Sequence, residues 1–149
     1  MRPSRLSTDD GSAALEFITA GFLLLIPLVY LVLAMAAIQG GALSVEGASR
    51  QAARVFVQAP DVGSAQDRAQ TAVDFALHDF GLETVPTTVK ISCRPNPDAC
   101  LTRRGFVTVT VTTSVPLPLV PNVLSLRTPL SVPMSATSTE QVSRFWGAG

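Results

Sequence analysis

An α+β architecture, with a long N-terminal helix leading into a small domain of one helix and a roughly three-stranded antiparallel sheet, follows from three features of the sequence. Phe17 to Val45 contains no charged residue, and Ala13 to Ile38 is almost wholly apolar. Between Ala65 and Phe80 apolar residues recur at helical spacing. From Thr84 onward the period falls to two, most regularly in Phe106–Val115.

The apolar run comes first. About 20 such residues cross a bilayer as a helix, so Ala13–Ile38 is long enough to do so. One carboxylate, Glu16, stands just inside its start. A lone carboxylate at a membrane boundary is costly, which marks it as a functional candidate. Residues 1–11 are short, polar and turn-rich and read as a leader outside the fold. Residues 12–57 form the transmembrane and amphipathic helix, expected to begin near Ser12 and to carry Pro27 within it. Beyond Ile38, Glu46, Arg50 and Arg54 recur every four residues on one face. Ala42, Val45, Ser49, Ala52 and Phe56 form a second face for packing, made mainly of small residues. Gly40, Gly41 and Gly47 weaken this stretch, and a local melt is expected at the Gly40-Gly41 pair.

Residues 58–149 make the small domain. Ala59-Pro60 ends the first helix, because a residue before proline disfavours the helical region. Ser64-Ala65-Gln66-Asp67 resembles a capping box that opens a second helix over about 64–80. Its apolar face is Ala65, Ala69, Ala72, Val73, Ala76, Leu77 and Phe80, and Gly81 closes it. His78, near its end, reads as a solvated or dipole-facing side chain. Strands are expected at Thr87–Cys93, Phe106–Val115 and Leu130–Val142. The second has valine on one face and threonine on the other, and Pro133 puts the third at a sheet edge. Arg103-Arg104-Gly105 and the cysteine pair lie in the hairpin between the first two. Leu117, Leu119, Val120, Val123, Leu124 and Leu126 make the proline-punctuated loop 116–126 apolar, either as cover for the sheet or as a contact surface. Arg144-Phe145-Trp146-Gly147 reads as a terminal clamp on the domain.

Composition narrows the function. Lys+Arg and Asp+Glu both number 11, for a net charge of zero, and no basic face for nucleic acid appears. With one histidine and two cysteines, metal and catalytic constellations are hard to assemble. No phosphate-binding glycine loop and no metal-ligand spacing is present. No enzyme activity, cofactor or small-molecule substrate is expected. Cys93 and Cys100 bracket six residues that include two prolines. In a chain with an export segment such a pair reads as a disulfide, and the alternative is two free thiols in a reducing compartment. Arg2 and Arg5 before the span and Arg50 and Arg54 after it nearly balance, so basic residues alone do not orient the helix. The expected disulfide places the C-terminal domain outside the cytoplasm.

The opening stretch Gly11-Ser12-Ala13-Ala14-Leu15-Glu16-Phe17, followed by the apolar run, resembles the type IV prepilin processing site. More narrowly it is similar to the TadE-like pseudopilins of bacterial tight-adherence systems, sharply over residues 9–57 and only in architecture afterwards. The resemblance implies cleavage by a prepilin peptidase between Gly11 and Ser12. Glu16 then becomes the fifth mature residue, the family's acidic position, and Phe17 matches the aromatic that often follows. It also implies a single-pass protein of the bacterial cytoplasmic membrane, or of a surface pilus. Its partners would be other pilin-like subunits, met through the N-terminal helix. Asp9-Asp10 stand where basic residues are commoner in prepilins. Two other readings use the same run. In one, Ala34-Met35-Ala36 is a signal-peptidase site that releases a secreted binding domain beginning at Ala37. In the other, an uncleaved anchor holds an extracytoplasmic interaction domain.

Overall fold

A computed structural model describes residues 10–118 and 130–147, with only the backbone of residues 10–12. The order is α1 (Asp10–Val57), α2 (Val62–His78), β1 (Thr88–Arg94), β2 (Phe106–Pro116) and β3 (Ser131–Gln141). This is the α+β arrangement expected. The strands form one antiparallel sheet in the order β1-β2-β3.

The first helix runs without a break through Pro27, Gly40 and Gly41. The expected melt at the glycine pair does not occur, and packing explains why. Gly41 is buried, and a Cβ there would collide with the Val115 side chain and approach the Met134 sulfur at 3.1 Å. The glycine is therefore a point of close helix–sheet approach. From there to Phe56 the buried residues are Ser44, Val45, Ala48, Ser49, Ala52, Ala53 and Phe56, nearly all small. The buried band is wider than the sequence stripe. It covers about half of the helix circumference, because α2 lies along one flank and β2 and β3 along the other. Ala42, expected on the packing face, is exposed at the rim of that band. The two buried serines turn their hydroxyls back on the helix: Ser44 Oγ donates to the Gly41 carbonyl (2.8 Å) and Ser49 Oγ to that of Glu46 (3.0 Å). On the open face Glu46 pairs with Arg50 one turn on.

The second helix starts two residues earlier than the sequence pattern indicates. Asp61, not Ser64, is its N-cap: the carboxylate accepts from the Ser64 N–H (2.9 Å) and from the Ser64 hydroxyl (2.7 Å). These bonds hold the Asp61 carboxyl below its ordinary range. Its exit follows expectation. Gly81 takes φ +68°, Leu82 N–H reaches the Leu77 carbonyl (3.0 Å) and Gly81 N–H that of His78 (3.0 Å), a Schellman closure. Ala65, Ala69, Val73 and Leu77 are buried on the face toward the core.

The central strand β2 alternates as expected. Val107, Val109, Val111, Thr113 and Val115 point inward, and the one polar member is bonded to Thr87 Oγ1 (3.1 Å). Its outer face carries cross-strand hydroxyl pairs Thr108–Thr139 (2.8 Å), Thr110–Thr137 (2.9 Å) and Thr112–Ser135 (2.9 Å). Strand β3 is an edge, as Pro133 requires. The loop segment 119–126 lies outside the described residues.

Two substitutions test the packing of α1. Gly41→Ala is expected to destabilise the domain by about 1–3 kcal/mol through overpacking against Val115. Gly47→Ala, at a helical position with nothing within 4 Å of the added methyl, is expected to stabilise it by about 0.5–1 kcal/mol through helix propensity. Thermal or urea unfolding of the detergent-solubilised chain measures both.

Candidate functional site

The residues singled out in the sequence fall at the start of α1. Gly11 and Ser12 lie in its first turn, and Glu16 and Phe17 one turn further on. Every residue from Ala13 to Val29 is exposed, and Phe17 is 80% so. The stretch is long and apolar enough to cross a membrane. Among the described residues Glu16 has no hydrogen-bond or ion-pair partner within its own chain. In contrast Thr19, on the same exposed surface, is satisfied locally: its hydroxyl donates to the Leu15 carbonyl at 2.7 Å. That is how a polar side chain is tolerated in a lipid-facing helix. The apolar surface has one carboxylate, and nothing among the described residues neutralises it.

The same rod continues into the domain, so its exposed apolar part and its folded part are one continuous helix. The domain has two distinct ends. At the end away from the apolar run lie the α1–α2 turn, the β1–β2 hairpin and the C-terminal segment. Cys93, buried at the end of β1, is joined to Cys100 in the hairpin as a disulfide, with Cα atoms 5.0 Å apart. Trp146 donates its indole N–H to the Ala59 carbonyl (2.9 Å), and its own carbonyl accepts from Arg103 Nε (2.9 Å). The tail is thus the clamp expected. It ties the hairpin to the carbonyl that the α1–α2 turn leaves free. Arg144 stacks over the exposed Phe145 ring, 4.6 Å from its centroid.

Other polar groups do not converge. His78 is exposed at the end of α2, beside Asp74 and Glu83 on a shallow surface. A groove of about 580 Å³ runs between α1 and α2, with Phe75 (70% exposed), Thr71, Gln51, Arg68 and Asp79 on its walls. No group of three metal-ligating side chains occurs among the described residues. Sequence reasoning missed three anchoring features. Asp61 was overlooked as the cap because Ser64 offers a rival capping box. The importance of Gly41 depends on a contact with β2. The Trp146–Ala59 bond joins residues 87 positions apart.

Comparison of the chain with protein-family models, with curated proteins and with solved structures gave no match.

The distal links have measurable consequences. Removing the disulfide by Cys93→Ser with Cys100→Ser should cost about 2–3 kcal/mol of stability, the value for so short a loop in the chain-entropy account. Trp146→Phe should cost about 1–2 kcal/mol by leaving the Ala59 carbonyl without its donor. The lowered pKa of Asp61 gives a sign for pH. Its contribution is complete above the ordinary carboxylate range and is lost as pH falls through the folded value, so α2 should loosen at its N-terminus on acidification. Amide exchange at Gly63 and Ser64 against pH measures this.

Proposed function

We propose that this chain is a minor pilin-like subunit, a pseudopilin, of a bacterial tight-adherence type pilus or of its assembly and secretion apparatus. One observation carries the reading. A single carboxylate, Glu16, without a partner among the described residues, sits one turn inside an exposed apolar helix that continues unbroken into the core of a small disulfide-bonded domain. The motif Gly11-Ser12 stands one turn before that carboxylate. The role is structural, and the protein is held in the cytoplasmic membrane by α1 with its domain outside the cytoplasm.

The chemistry follows from charge. A prepilin peptidase that cuts between Gly11 and Ser12 leaves an ammonium on Ser12. The bond lies in the first helical turn, where fraying costs least. Glu16 is four residues on, hence on the same face. It neutralises the amine of its own chain or of a neighbouring subunit when apolar helices pack side by side. Either charge left alone among apolar helices would cost several kcal/mol, so partners are favoured in the register that joins the two. Phe17 and the leucines that follow supply the packing surface.

The mature N-terminus, determined by intact mass and N-terminal peptide mapping of protein from native membranes, tests the reading. A terminus at Ser12 is expected. A terminus at Ala37 would leave a secreted binding domain, and an intact Met1 only an anchor; either overturns the proposal. A second test concerns Glu16. The Glu16→Ala and Glu16→Gln variants are expected to insert into the membrane normally, while their recovery in pilus or apparatus fractions falls at least about 100-fold, the effect of stranding one buried charge. Undiminished incorporation of Glu16→Ala would show that the carboxylate does not set register.

A further inference from the structure

The end of the domain nearest the apolar run has a composition and a height that its other end lacks. Helix α2 returns along α1, and its exit places Phe80 against Gly40, where an added Cβ would lie 3.4 Å from the ring. Strand β2 ends and β3 begins at the same level, since Val115 and Met134 are the side chains facing Gly41. Just past them the Leu117 N–H donates to the Leu130 carbonyl at 3.0 Å. Phe80 and Leu130 are nevertheless 46% and 47% exposed, and Leu43, next along α1, is 61% exposed. The sequence pattern put Phe80 on the packing face of α2, yet almost half of its surface is open.

Distance along α1 gives the height of these side chains. With Glu16 at one boundary of the hydrocarbon, Gly41 stands about 38 Å further along the helix at 1.5 Å per residue. The hydrocarbon is about 30 Å thick and the bilayer with headgroups about 40–45 Å, so Gly41 comes out about 8 Å beyond the hydrocarbon on an upright helix, at the outer edge of the headgroups, and about 5–6 Å beyond it, within the headgroup layer, at the usual tilt of about 20°. An aromatic and two leucines would there ring the helix at its exit, the region where aromatic side chains anchor membrane proteins.

We propose that this end of the domain is a membrane-contact surface. Phe80, Leu130 and Leu43 form an apolar collar that beds into the interfacial layer of the same bilayer that α1 crosses. The occupant is a lipid surface because the collar is continuous with the lipid-facing surface of α1 and is contiguous with its last apolar turn. The three collar side chains are uncharged, and among the described residues Asp79 and Glu83 flank Phe80. Contact therefore rests on burial of apolar surface and not on attraction to anionic headgroups, and neutral lipid should support it at any ionic strength. The collar holds the domain at one height and restricts its tilt on the rod. The inference rests on α1 spanning the membrane, and its test separates the two.

The full chain reconstituted in phosphatidylcholine vesicles that carry brominated acyl chains, a nitroxide on the headgroup, or neither provides that test. The natural Trp146 lies at the far end of the domain and serves as an internal reference. Three variants each add one reporter: Leu24→Trp within the span, and Phe80→Trp and Leu130→Trp in the collar. Leu24→Trp is expected to gain blue-shifted emission that the brominated chains quench, and Phe80→Trp and Leu130→Trp blue-shifted emission that the headgroup nitroxide quenches, at low and at high salt, while wild-type emission is unaffected. Quenching with Leu24→Trp but not with both collar variants overturns the collar and leaves the spanning helix intact. Blue-shifted, unquenched emission from the collar variants would point to a second protein chain and also overturns it. Loss of quenching with Leu24→Trp would remove the spanning helix and the collar together.

Discussion

The close approach of α1 to the sheet at Gly41 governs the rest of the molecule. The helix must leave an environment that favours apolar side chains on every face and enter one that admits only small side chains on half of its surface. Gly41, Ser44, Ala48, Ser49, Ala52 and Ala53 make that change within a few turns. Because they are small, the Val107–Val115 row of β2 and the Ala65–Leu77 row of α2 settle close against the helix backbone. The core is therefore built around α1. Without the C-terminal third of that helix, neither α2 nor the sheet has a surface on which to bury its apolar face.

A core of alanine, serine and valine buries little area per residue, so a domain of this size gains from covalent and polar links. These are concentrated at the end distant from the apolar run. The Cys93–Cys100 bridge restrains the hairpin, Arg103 and Trp146 join hairpin to tail, and Trp146 joins tail to the α1–α2 turn. Among the described residues the near end has apolar side chains and few polar links. The two ends are thus made for different surroundings, one restrained by its own bonds and the other left to whatever layer it meets.

Electrostatics divides the molecule in the same way. The charged residues of the described chain beyond Val45 are spread over exposed faces, and among them Glu46–Arg50 is the one ion pair, a weak exposed one. Glu16 differs only in its setting. The same carboxylate on α2 would be unremarkable, but on an apolar rod it needs a cation, and a cut before Ser12 would free one a single helical turn away. In the proposed role a processing step thereby becomes a condition for subunit packing.

How much was legible from the residues alone depended on the range of the interaction. The long apolar helix, the second helix with its Gly81 exit, the alternating strand at Phe106–Pro116 and the short cysteine loop are all local patterns, and each formed where its spacing indicated to within about two residues. The carboxylate at position 16 also stood out, since it is the one charge in an apolar run. The sequence by itself thus determined the elements and their order, and it marked Glu16 as the candidate at the start of α1. The tertiary structure decided what depends on contacts between residues far apart in the chain. It kept the helix intact at Gly40-Gly41, widened the buried band of α1 from one stripe to two, seated Trp146 on Ala59 and left Phe80 half open beside the apolar run. Such outcomes turn on which surfaces meet, and no local periodicity encodes that.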